Sequence, residues 1–192
     1  APDNVTVTNT VVRDFEDGSG ATDFFDATAI NAFGGDDSDP LQDVTISNNK
    51  VARIAREVAG GAVGISIQGN VDGATVTGNV IQDVGQARSA YALGIAVRST
   101  DNHSVDPTGV SVMGNEISDV RPDPQSDFDG VGFEFEPENA ANPATVTNNT
   151  FANTTLQIED KTLGFSAGLD LGALLADNTF DRAVVIRNAN GD

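Results

Sequence analysis

One short pattern recurs along the chain and limits what it can fold into: apolar, polar, apolar, polar, a turn-forming residue, asparagine, any residue, apolar. It occurs at residues 44–51 (VTISNNKV), 74–81 (ATVTGNVI), 110–117 (VSVMGNEI) and 144–151 (ATVTNNTF), with an imperfect copy at 5–12 (VTVTNTVV) and a shortened one at 174–180 (LLADNTF). Alternation with period two marks a strand buried on one face, and the Asn, Gly or Asp before the asparagine marks a bend. The pivots are Asn49, Asn79, Asn115, Asn149 and Asn178, separated by 30, 36, 34 and 29 positions. Asn9 is expected to be the sixth pivot, with an extra loop before Asn49. A second apolar strand recurs in each interval, at 25–33, 62–67, 92–97, 130–135 and 163–171, followed by a loop of variable length.

Two or three strands per repeat, joined by one tight bend and by loops of variable length, describe a coil of a β-solenoid, in which each coil buries its inward residues by stacking on its neighbours. Asparagine suits the bend because it tolerates the left-handed backbone region better than other residues with a Cβ. With coils about 4.8 Å apart, asparagines at one position in every coil can hydrogen-bond to those above and below. The segment 50–58 alone has the periodicity of an amphipathic helix, but its register with 80–84 and 116–120 predicts strand in its first half. The whole pattern resembles the asparagine-ladder repeat of the pectate-lyase-like right-handed parallel β-helix superfamily. The resemblance implies an all-β fold: a single-stranded right-handed parallel β-helix of about five or six coils forming one domain over residues 1–192. It is specific for fold and says little about activity, since lyases, hydrolases, adhesins and tail spikes share that architecture.

The charge pattern bears on where such a solenoid works. Net charge is −19. Aspartate outnumbers glutamate 22 to 7, and Lys50 and Lys161 are the only lysines. Small, strongly hydrated carboxylates keep a surface dissolved in concentrated salt, where repulsion is screened within about 3 Å at 1 M. The bias points to a halophilic, archaeal source, although an acid-rich secreted protein or one neutralised by calcium would share the total. The same charge repels nucleic acid and anionic membranes. No apolar run has the length of a membrane-inserted segment, and cysteine is absent, so disulfides and thiolate metal sites are excluded. Glycosylation triplets at Asn4, Asn102, Asn148 and Asn153 are compatible with the extracellular or cell-surface location that the fold suggests.

Candidate chemistry is sparse. Asp36, Asp37 and Asp39 in one loop, and Asp123, Asp127 and Asp129 in another, place carboxylates at the close spacing that suits calcium, the one cofactor this sequence suggests. Acid-rich loops are also what a halophile exposes. Asp83 and Asp119 stand four residues after their asparagines and should stack on the outside, either as a pair for acid–base work or as a solvated face. Arg13, Arg53 and Arg182 follow their pivots as outward strand residues, and Glu134 and Glu136 alternate with Phe133 and Phe135 near the second acidic loop, where an acidic cleft would form. His103 is the only histidine, in a polar loop. Most of the ten Phe fall at inward positions, and Trp is absent, so platforms for sugar stacking are few.

No capping helix precedes residue 5, and the last apolar segment, 183–187, lies close to the end of the sequence, so both ends of the solenoid are expected to be uncapped, either continued by further chain or paired with other subunits. Open ends with few catalytic groups suggest a non-catalytic structural or adhesive protein that associates with itself end to end, a contact that propagates into filaments. The competing expectations are a polysaccharide lyase or glycoside hydrolase acting on acidic polysaccharide, and a carbohydrate-binding adhesin.

Overall fold

The alternating segments become strands because each presents β-branched residues to one interior, and the strands are dealt in rotation to three sheets. The structure is a computed structural model that describes residues 3–17, 26–34, 39–56, 60–86, 89–99, 105–125, 130–136, 144–158, 171–181 and 186–187. Sheet A runs in the order β1 (Thr6–Thr8), β4 (Leu41–Ser47), β7 (Val71–Thr77), β10 (Ser111–Met113) and β13 (Thr145–Thr147). Sheet B contains β2 (Val11–Asp17), β5 (Lys50–Arg56), β8 (Val80–Val84), β11 (Glu116–Val120), β14 (Thr150–Ala152) and β16 (Thr179–Phe180). Sheet C contains β3 (Ala27–Phe33), β6 (Gly61–Gln68), β9 (Tyr91–Arg98), β12 (Gly130–Glu136), β15 (Thr155–Ile158) and β17 (Ile186–Arg187). Neighbours within every sheet are parallel. The fold is all-β with three parallel sheets, and its one described helix is α1 (Leu171–Ala176).

The core lies between the sheets. Ile46 and Val76 from sheet A, Val51, Ile54 and Ile81 from sheet B, and Ile65, Ile67 and Ile95 from sheet C are essentially inaccessible to solvent. Each such side chain stabilises by about 1.5–3 kcal/mol relative to exposure. Gly64, Gly94 and Gly132 on sheet C each face a side chain of sheet B, namely Ile81, Ile117 and Phe151. A Cβ on Gly94 would lie 2.5 Å from the Gly132 carbonyl oxygen and 2.8 Å from Ile117 Cγ2, so the close approach requires glycine.

The asparagines form a continuous buried ladder. Asn49 Nδ2 donates to Asn79 Oδ1 at 3.0 Å, and the step repeats from Asn79 to Asn115, Asn115 to Asn149 and Asn149 to Asn178 at 2.9 Å each. The second amide hydrogen donates to the strand of sheet A one level back, for instance from Asn79 to the Ile46 carbonyl at 3.0 Å. Each Oδ1 also accepts a backbone N–H, as Asn79 Oδ1 does from Asn49.

Three expectations need correction. Asn9 is not the sixth ladder residue: register with β4 puts Thr10 opposite Asn49, and the Thr10 N–H donates to Asn49 Oδ1 at 2.9 Å. Asn9 instead takes the left-handed position, φ 53°, shared with Asn48, Gly78, Gly114 and Asn148. The shortened copy at 174–180 does not begin as a strand. Leu and Ala are strong helix formers where the other copies have Val, Thr and Ile, and α1 takes that place with Leu174 buried in the core. The C-terminal side of sheet A is therefore packed against α1 and not open. Finally, β15 is the strand that pairs with β12, at 155–158, whereas the expected strand at 163–171 falls outside the described residues except for Leu171, which is helical. The segment 50–58 is strand through Arg56.

Candidate functional site

Four residues after each ladder position, sheet B bends through a left-handed residue: Asp14, Arg53, Asp83, Asp119 and Asn153, with φ between 53° and 56°. Asp and Asn adopt this region at modest cost, and Arg less readily. Because the flanking residues pair in register, these side chains form an outward column. Arg53 grips Asp14 through both nitrogens of its fork, with Nη2 donating to Oδ2 at 2.9 Å. The guanidinium holds the Asp14 carboxyl below the usual carboxylate range, and Asp14 in turn raises Arg53. Asp119 accepts from Arg121 Nη2 and from Asn153 Nδ2, the latter at 2.6 Å.

Asp83 and Asp119 are thus brought together as register required, and Arg53, Gln86 and Arg121 join them around a surface cavity of about 320 Å³. The set mixes two guanidinium forks with two carboxylates and an amide, which suits a ligand bearing both acceptors and hydroxyls. Arg13 is exposed beside Asp14, at 3.7 Å, while Arg182 lies outside the described residues.

The other expected sites divide. Asp39 is exposed ahead of β4, and Asp123 Oδ1 accepts the Gln125 N–H at 2.8 Å. Asp36, Asp37, Asp127 and Asp129 lie outside the described residues, as does His103. Among the described residues, no group of three or more carboxylate or imidazole side chains is placed to hold a cation. Glu134 is buried, at 7% exposed, and sits 4.0 Å from Arg98 Nη1, while the loop that would complete an acidic cleft lies outside the described residues. Phe133, Phe135 and Phe151 are buried as expected, but Phe15 and Phe33 are not.

Glu134 belongs to a polar cluster on the outer side of sheet C that no spacing in the sequence reveals. Asp26 accepts from the Tyr91 hydroxyl, from Arg98 Nη2 at 3.0 Å and from the Gly61 N–H at 3.3 Å. Burial, then the adjoining Asp26 carboxylate, push the Tyr91 phenol well above its ordinary pKa. Burial works to lower Arg98, but Glu134 and Asp26 outweigh it and hold the guanidinium charged. Val63, Leu93, Ala96 and Val131 form a small second core beneath the cluster.

Among the described residues, nothing covers the interior at the edge formed by β1, β2 and β3. A cavity of about 330 Å³ between sheets A and C is lined by Val5, Val7, Ile30, Phe33, Leu41 and Ile46, among others. Phe33, which lines it, is 55% exposed, and Phe15 on β2 is 46% exposed. When the chain is compared with known proteins, no family model, no curated protein and no solved structure matches it.

Proposed function

We propose that the chain is a right-handed parallel β-helix of about five to six coils, of the pectate-lyase-like class, serving as a non-catalytic structural or adhesive rod outside or on the surface of a halophilic archaeal cell. The rotation of strands among three parallel sheets supports the solenoid, and about 98% of parallel crossovers are right-handed. The observation that carries the structural role is the apolar edge at β1, β2 and β3, where Phe33 lines a cavity between sheets A and C and Phe15 is exposed on β2. An exposed edge of this kind is a template for strand addition. A second copy presenting β16 and β17 to β2 and β3 extends sheets B and C head to tail, and such contacts propagate.

The test is sedimentation velocity with negative-stain microscopy in molar salt over a range of concentrations. Rods that lengthen with concentration, and that are lost in Phe33→Asp, are the expected result. A single monomeric species at every concentration overturns the assembly. The second reading, favoured by the cavity at Arg53, Asp83, Gln86, Asp119 and Arg121, is binding or cleavage of an acidic polysaccharide, whose carboxylates the two guanidinium groups would meet. Release of shorter products from such a polymer, lost in Asp119→Asn, would establish it in place of the first.

A further inference from the structure

The outer face of sheet A changes in chemistry along its strands: Asp43 and Asp72 are exposed near the start of β4 and β7, and the columns beyond them carry no charge. Across its five strands the register is unbroken, and Thr6, Thr45, Thr75, Ser111 and Thr145 align in one column. Two residues further along each strand, Thr8, Ser47, Thr77, Met113 and Thr147 align in a second. Between them, Val7, Ile46, Val76, Val112 and Val146 point into the core. The next column is Asn or Gly at every level. In a chain with 29 acidic and 10 basic residues, none of these outward positions is charged, and despite ten Phe none is aromatic.

The columns form a two-dimensional lattice of hydroxyl and methyl groups, spaced about 4.8 Å between strands and about 6.6 Å along them. Threonine is stiff at χ1, so little side-chain freedom remains to be lost on binding. Each hydroxyl donates one hydrogen bond and accepts others. Ser47 Oγ already donates to Thr8 Oγ1 at 3.1 Å, across adjacent levels of the array.

We propose that this face binds ice, the threonine and serine hydroxyls joining the outermost layer of a water lattice. In ice every oxygen both donates and accepts, and ions are excluded; a fixed, repeating, uncharged hydroxyl array is complementary to it on both counts. The lack of aromatic side chains disfavours a glycan surface, and the lack of aromatic and arginine anchors disfavours a protein partner. Freezing of a saline solution leaves concentrated brine against the crystal, which is the medium that the aspartate-rich remainder of the surface suits. The inference rests on sheet A alone and is independent of end-to-end assembly.

The experiment is nanolitre osmometry with microscopy of single ice crystals, using the whole chain, in dilute buffer and in salt. The wild type should hold crystal growth below the melting point and facet the crystals. Thr75→Glu, which puts a charge at the centre of the array, should lose both effects, while Gln82→Glu on the exposed outer face of sheet B keeps them. If Thr75→Glu does not fold, Thr145→Lys at the exposed end of the same column replaces it. Growth no different from that in an equal mass of an unrelated acidic protein overturns the proposal, as does full activity in the charged variant. Retention on an insoluble neutral polysaccharide, or a dimer broken by Thr75→Glu, without any effect on ice gives the face to another occupant and also overturns it.

Discussion

A buried primary amide has two hydrogens and one oxygen to satisfy, and Asn79 satisfies all of them within the ladder: it donates to Asn115 and to the Ile46 carbonyl and accepts twice from Asn49. Truncation would orphan groups on both neighbouring levels, each at about 1–3 kcal/mol. Asn79→Ala should therefore destabilise the protein by roughly 3 kcal/mol or more, seen as a fall in the midpoint of guanidinium unfolding. Asn178→Ala, at the part-buried end of the ladder, should cost visibly less. Tyr91 offers a second reading at this scale because it is the only tyrosine. Its folded-state pKa lies above the unfolded one, so the stability linked to it is intact below the unfolded value and drains away as pH rises past that value. Phenolate absorbance should appear at higher pH in the native protein than in denaturant; coincident curves would remove the link to burial and Asp26.

Elements of this fold depend on how closely their backbones approach. Gly94→Ala would drive a Cβ against the Gly132 carbonyl and Ile117, neither of them a flexible side-chain end. It should destabilise by about 1–3 kcal/mol or force sheet C away from sheet B, measurable as a lowered thermal midpoint. The pivots Asn49 to Asn178 and the strands around them are legible in the sequence because a period of two and a fixed bend residue leave one register. Asn9 misleads because Asn fits both the left-handed position and the ladder position beside it. Helix α1 is missed because alignment with earlier copies outweighs the helix preference of Leu and Ala, and tertiary context decides short segments. At the candidate site, Asp83 and Asp119 come from register alone. Asp26 ahead of β3, Tyr91 and Arg98 on β9 and Glu134 on β12 meet from three levels with no shared spacing, so no local pattern carries that cluster.

For the whole molecule, a net charge of −19 makes self-repulsion a global term opposing the compact state. The Debye length grows from about 3 Å at 1 M salt to about 30 Å at 0.01 M. Lowering salt should depress the thermal midpoint, steeply and with no single residue responsible, and Asp14→Asn should scarcely alter that dependence because its pair with Arg53 is exposed. A midpoint insensitive to salt would show that the acidic surface is not tuned to brine.

The ladder also has punctuation. It opens at Thr10, which supplies only a backbone N–H, and at its other end Asn178 Nδ2 donates to the Leu174 carbonyl of α1, using the hydrogen that every earlier asparagine passes to the next level. The amide chain runs one way and is intercepted by the helix, so a further copy set on that end finds no donor to continue it. Any rod assembled from such units has a joint at every junction that is weaker than its interior, and under tension or dilution it should part there, into segments of one repeating length.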